Sequence, residues 1–311
     1  MSIGTRKAFG ILAAMSLVSV ATAAIAQEAP SYYQSTLALP PSYAWMSPDV
    51  KLAWSKGYEG KGVTVTFVDE YTGNDPFSGS WTGKKQTQLH GFFTLEEAQL
   101  LAPQATFVEK NFNGQGSAVS LHSGLNVINL SYAIYASHIY SGINWTGDNQ
   151  EQSIISDAMN GKAVVSKAAG NDGIAIGTAN SQGNIDFLNT ALEGAQSVIY
   201  AGALNNNGSA GKQTLASYSD KAGSNTFVQQ HFLVVGVDAA QTGLAGTSFA
   251  APVISAYAAI IGSKFKTATA TQVTNQLLDT AITSTLLNYN AATYGRGEAS
   301  LANAIAPLSI H

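Results

Sequence analysis

The sequence predicts an α/β fold: a mainly parallel central sheet with helices on both faces. Three observations carry this. Short β-branched or apolar runs alternate with segments of helical spacing from residue 50 onward. Several of those runs, Val63–Val68 foremost, are apolar without alternation, as strands covered on both faces are. Finally, Ser248 opens a stretch, Phe249–Ile261, that is apolar on nearly every side, the mark of a helix buried all round. The 311 residues allow one large domain, and a hydrophobic share of 45% against 11% charged argues for a globular chain. A net charge of −4 without a basic cluster argues against a nucleic-acid surface. There is no cysteine, so disulfides, thiolate metal sites and cysteine nucleophiles are excluded.

In chain order, Arg6 and Lys7 give a positive start and Ala8–Ala24 is apolar and small. Ala24-Ile25-Ala26 is a small-x-small site, so residues 1–26 read as a signal peptide cleaved after Ala26 rather than a membrane anchor. An exported, soluble mature chain is expected, periplasmic or extracellular. Residues 27–48, rich in Pro, Ser, Tyr and Ala, read as an extended arm, and 49–311 as one domain without repeats. Val50–Trp54 reads as a short helix, Gly57–Gly62 as a turn, and Val63–Val68 as a buried strand. That strand delivers Asp69 at its carboxyl end, where α/β folds place their chemistry. Gln88–Ala98 reads as a loop carrying His90 into a helix, and Leu125–Tyr132 as another buried strand. Glu151–Met159 has helical spacing, and Ala163–Ala168 is a strand running into Ala169-Gly170-Asn171-Asp172-Gly173, whose residue types are those of a turn. Ser197–Leu204 and Phe232–Val237 read as strands, and Ala270–Thr280 as an amphipathic helix.

Before the apolar run, Leu244–Gly246 supplies the small residues of a tight turn, and Pro252 falls in the first helical turn, where its missing N–H is harmless. Ser248 then lies at the positive end of a buried helix, a place that favours an oxyanion; as an N-cap it would be structural only. Gly246-Thr247-Ser248-Phe249-Ala250-Ala251-Pro252 closely resembles the nucleophile motif Gly-Thr-Ser-x-Ala-x-Pro of the subtilisin-like serine proteases (subtilases, peptidase S8). That family orders its triad aspartate, histidine, serine. Upstream, Asp69 closes its strand, His90-Gly91 matches the start of the histidine motif, and Ala169–Gly173 matches the oxyanion segment. Ala102–Val108 resembles the family's Ala-Pro turn and following strand, Ala216–Ser219 the segment before the last strands, and Tyr294–Ala299 the closing glycine-rich segment. The resemblance spans about Val50 to about Pro307, and is similar to the subtilisin-like passengers of bacterial autotransporters, though no barrel follows.

What the resemblance implies is a subtilisin-like three-layer fold with Asp69, His90 and Ser248 as catalytic triad. It implies Asn171 as oxyanion-hole donor, where the related sedolisins have an aspartate. It also implies a substrate-binding edge of Ser131, Tyr132 and Ala133, with Ala169 and Gly170, pairing an extended peptide by β-augmentation. The sequence departs from the family after Asp69 (Glu70-Tyr71 for Ser or Thr and Gly), after His90-Gly91 (Phe92-Phe93 for Thr-His) and at Ala133 (usually Gly). A prodomain of the usual size is missing. The expected function is therefore an exported serine endopeptidase acting on polypeptides through an acyl-enzyme. An inactive or weak subtilisin-like fold serving as a peptide-binding or surface-interaction module stays open, as does an esterase. Acidic residues form no recognisable calcium loop, so no metal or other cofactor is assigned, and calcium binding stays open. A monomer is expected, with no nucleic-acid or membrane partner.

Overall fold

The computed structural model describes residues 5–8, 40–112, 116–207 and 212–311. The expected leader and arm lie largely outside them. The elements are β1 (Thr5–Ala8), α1 (Pro48–Ser55), β2 (Val63–Asp69), β3 (Phe77–Gly79), β4 (Gln86–Gln88), α2 (His90–Leu101), β5 (Thr106–Asn111), β6 (Leu125–Leu130), β7 (Tyr132–Ser137), α3 (Asn149–Met159) and β8 (Val164–Ala168). There follow β9 (Asn184–Asp186), α4 (Phe187–Ala191), β10 (Val198–Leu204), α5 (Thr226–Gln230), β11 (Phe232–Gly236), α6 (Ala239–Thr242), α7 (Ala251–Lys264), α8 (Ala270–Asp279), α9 (Ala291–Tyr294), β12 (Gly297–Glu298) and α10 (Leu301–Ala304).

Seven strands form the middle layer in the order β12-β11-β10-β8-β6-β2-β5, every neighbouring pair parallel. Successive residues of the strands serve opposite faces. Val65, Phe67, Val127, Val164 and Leu233 join one core with α2, α7 and α8; Val68, Ile128, Val165, Tyr200 and Val234 join a second with α3. This is the predicted three-layer α/β arrangement, and it explains why the strands carry apolar residues without alternation.

The helix of the apolar run is α7, in which every residue from Ala251 to Ser263 is buried. Ile254, Ile260 and Ile261, all fully buried, each add about 1.5–3 kcal/mol of burial. Two expectations are corrected here. First, α7 does not begin at Ser248: Thr247–Phe249 make a single 3₁₀ turn, and Ala250 is the N-cap without a side-chain capping bond. Ser248 is thus not a helix cap. Second, Leu125–Tyr132 is not one strand. It breaks at Ser131, and β7 leaves the parallel sheet to join an antiparallel one, β1-β7-β9. The break falls where Ser131 turns both its hydroxyl and its carbonyl to Ser248.

Candidate active site

Strand β2 lies inside the sheet, between β5 and β6, and carries Asp69 to its carboxyl end, fully buried. A buried carboxylate is tolerated only with its oxygens bonded. Oδ1 accepts from His90 Nδ1 at 2.6 Å and from the Glu70 backbone N–H at 2.7 Å; Oδ2 accepts from the Thr94 hydroxyl at 2.8 Å. His90 is the first residue of α2, and Thr94, one turn later, shares its face. The close approach of α2 to the end of β2 needs Gly91, whose N–H donates to the Glu70 carbonyl at 3.0 Å; a Cβ there would stand 2.7 Å from that oxygen. The imidazole is wedged between Phe77 and Phe249, ring centroids 5.9 and 5.8 Å away. Burial pushes the Glu70 carboxyl up, opposed by the pull of His90. His90 Nε2 meets no hydrogen-bond partner among the described residues.

The departures from the family motif find their reasons in packing. Phe93 is fully buried against Phe77, and its carbonyl accepts from the Trp81 indole at 2.8 Å. Phe92 packs edge-on against Tyr71 at 5.3 Å. The hydroxyl that steadies Asp69 comes from Thr94. Sequence reasoning missed it, although its i+4 spacing from His90 was a usable signal.

Ser248 is buried too, in the 3₁₀ turn just before α7. Its hydroxyl donates to the Ser131 carbonyl at 3.2 Å, and the Ser131 hydroxyl donates to the Ser248 carbonyl at 2.9 Å. Behind them the Asn129 amide donates to Ser131 Oγ at 2.9 Å, and Ser255 Oγ of α7 donates to Asn129 Oδ1 at 3.1 Å. This relay ties α7 to the end of β6.

Asn171 follows β8. Its Oδ1 accepts from the backbone N–H of Thr247 at 2.9 Å and lies 3.0 Å from the Thr247 hydroxyl, which turns the amide NH₂ the other way. Gly170 N–H donates to Thr247 Oγ1 at 3.1 Å. The backbone at Gly170, φ +132°, admits no side chain: a Cβ would sit 2.1 Å from Asp220 Oδ2. Ala169 is fully buried in the second core and offers no surface to a ligand.

Of the expected substrate edge, Ser131 faces Ser248 and β7 begins at Tyr132. The Tyr132 ring stacks on Phe112 at 5.2 Å and its hydroxyl donates to Glu151 at 3.0 Å; Ala133 is fully buried. The edge is thus a backbone edge. In this structure Thr5–Ala8, from the expected leader, pairs antiparallel with it, Lys7 opposite Ala133 and Ala8 opposite Tyr132. Below lies a buried ion pair that sequence reasoning missed. Lys167 of β8, fully buried, donates to Asp186 Oδ2 at 2.9 Å, while Asp186 Oδ1 accepts from the Ile134 N–H of β7 at 3.0 Å.

The fold therefore brings Asp69 to His90, and Ser248 to Ser131 and the turn beside Asn171. Among the described residues, no group of three or more His, Asp or Glu is placed to hold a metal ion, and no helix is long and apolar enough to cross a membrane.

The sequence model of the Subtilase family matches residues 79–298, a span that includes His90, Asn171 and Ser248 and begins after Asp69. No curated protein sequence matches the chain. Among solved structures, the prenylagaramide maturation protease PagA is similar with a TM-score of 0.54 at 19% identity, covering 83% of this chain and 97% of that one. A lanthipeptide protease gives a TM-score of 0.51 at 15% identity, covering 82% and 91%. Proteases from Pseudoalteromonas arctica give 0.51 at 17% identity, covering 84% and 94%. At these identities the likeness is one of fold.

Proposed function

The chain belongs to the subtilase family, and from that premise we propose that it is an exported serine endopeptidase with Asp69, His90 and Ser248 as its triad. One observation carries the proposal: a buried Asp69–His90 bond of 2.6 Å on the strand end and helix start that a base needs, in the same fold as a serine set before a buried helix. In the reaction, Ser248 Oγ attacks the peptide carbonyl as His90 Nε2 takes its proton. His90 then protonates the leaving amine, and water, activated by the same imidazole, hydrolyses the acyl-enzyme. Asp69 orients the ring and stabilises the imidazolium. The Asn171 amide and the Ser248 backbone N–H stabilise the oxyanion. The substrate is an extended polypeptide laid antiparallel on β7, the mode in which Thr5–Ala8 already lies there. Export by residues 1–26, and with it the passenger-type likeness, is part of the same proposal.

A second reading, a peptide-binding module without turnover, is favoured by the Ser248 hydroxyl pointing to Ser131 and the unpartnered His90 Nε2. Catalytic bonds of ligand-free sites often tighten only with substrate, so the geometry is compatible with the enzyme. Labelling of the folded protein by a fluorophosphonate, beside Ser248→Ala and His90→Ala, separates the two. Labelling that needs both residues supports the peptidase; a folded protein that never labels sinks it.

A further inference from the structure

The segment Tyr218–Lys221 has no part in the triad, yet it is zipped along the turn that carries Asn171. Gly173 N–H donates to the Tyr218 carbonyl, Asp220 N–H to the Gly170 carbonyl and Lys221 N–H to the Ile174 carbonyl, at 2.9, 2.9 and 2.8 Å. At the centre is the Asp220 side chain, only 6% exposed. Its Oδ1 accepts from the backbone N–H of Asp172 and of Ile174, both at 3.0 Å, and its Oδ2 fills the space that a Cβ on Gly170 would take. The residues it grips stand on both sides of Asn171.

We propose that Asp220 is a positioning residue for the oxyanion hole: its carboxylate clamps the Gly170–Ile174 turn and so holds the Asn171 amide at the height of the reacting carbonyl. Two supports act on the amide from opposite ends. Thr247 fixes its oxygen, and Asp220 fixes the backbone that carries it. One oxygen serves two N–H groups, and when it is ionised each of these bonds is about twice as strong as to a neutral acceptor. The surroundings make that charge conditional. Burial, first, pushes the carboxyl up to about 7; the two N–H bonds oppose this, and Asp172 and Asp186 add to it. Facing it from β8 is the buried ammonium of Lys167, and from β7 the Tyr135 hydroxyl, which donates to Asp172 at 3.0 Å.

This rests on the peptidase reading. The test compares wild type with Asp220→Ala, Asn171→Ala, the double variant and Asp220→Asn, measuring kcat per fluorophosphonate-labelled site and KM on a peptide amide. Asp220→Ala should lower kcat by about 10- to 100-fold with KM nearly unchanged, somewhat less than removal of the donor itself. The double variant should be no slower than Asn171→Ala alone, because both act through one amide. Asp220→Asn keeps the shape and an acceptor oxygen if the alanine variant does not fold. Its deficit against wild type should be several-fold near pH 8 and vanish toward about pH 5, where the wild-type carboxyl is neutral. A full-rate Asp220→Ala, additive losses in the double variant, or an Asp220→Asn deficit that does not change with pH overturns the proposal while leaving the peptidase standing. A wild type that neither labels nor hydrolyses removes both.

Discussion

Asp69 and His90 lie 21 residues apart and meet in one short bond, with the hydrogen-bonding support of the carboxylate drawn from the end of β2 and the first two turns of α2. Ser248 and Asn171 are held differently. Their partners are Ser131, Asn129, Ser255, Thr247 and Asp220, drawn from segments up to 126 residues apart in sequence. The Asp69–His90 half is a local unit built on one buried carboxylate; the Ser248–Asn171 half is a product of assembly, set by neutral bonds among Ser131, Asn129, Ser255 and Thr247 and by the Asp220 carboxylate. A local unit tolerates changed neighbours, and the Phe92-Phe93 and Glu70-Tyr71 departures fall beside it. The Gly246–Pro252 and Ala169–Gly173 motifs, several of whose residues bond to distant chain, keep the family's spelling.

Experiments that break this comparison begin with the reacting groups. Ser248→Ala and His90→Ala should each lower kcat by about 10⁶-fold, a magnitude taken from subtilisin itself, in a folded protein. Asn171→Ala should lower kcat by about 100- to 1,000-fold, again subtilisin's figure for one oxyanion donor, with KM little changed. Next come the supports. Thr94→Val withdraws a bond from an ionised carboxylate, so unfolding by denaturant should show a loss of about 1.5–3 kcal/mol, and Ser255→Ala, a neutral bond in the relay, about 1 kcal/mol. Should Ser255→Ala prove the more damaging, the contrast between the halves is wrong.

The smallest effect sharpens the acid–base side. Glu97 of α2 is buried, its Oε2 lacks a partner, and burial holds its carboxyl well above the usual range. A carboxyl whose folded pKa is raised weakens the fold as pH climbs past the unfolded value of about 4.3. Glu97→Gln should therefore match wild type near pH 4 and become the more stable of the two at neutral pH, by thermal unfolding. Equal pH dependence of the two proteins would show that Glu97 is not the strained acid of that helix.

Much of this was legible before any coordinates. The unalternated apolar runs announced strands of a buried parallel sheet, the run after Ser248 announced α7, and Asp69 stood at a strand end as read. Two readings failed for one reason. Leu125–Tyr132 is uniformly apolar apart from its asparagines and serine, and nothing in its period marks Ser131 as the point where the chain changes sheets. Ser248 reads as a cap because a serine before a helix usually is one; the 3₁₀ turn that displaces the cap to Ala250 is bonded to Ser131 and Gly170, in the segments just after β6 and β8. Lys167 falls inside the predicted strand Ala163–Ala168 with nothing in its neighbours to mark its burial, and its partner Asp186 carries no signal in the sequence.

The sequence by itself determined the three layers and the positions of the candidate triad, since periodicity and motif spelling are properties of neighbours along the chain. Only the tertiary structure decided what holds those residues: Thr94 on Asp69, the relay from Ser255 to Ser131, the Asp220 grip on the oxyanion turn and the Lys167–Asp186 pair beneath β7. The physical reason lies in burial. Desolvated polar groups must find partners, and in a closed core those partners are whichever groups the packing of distant segments brings within 3 Å or so, a distance that no local pattern encodes.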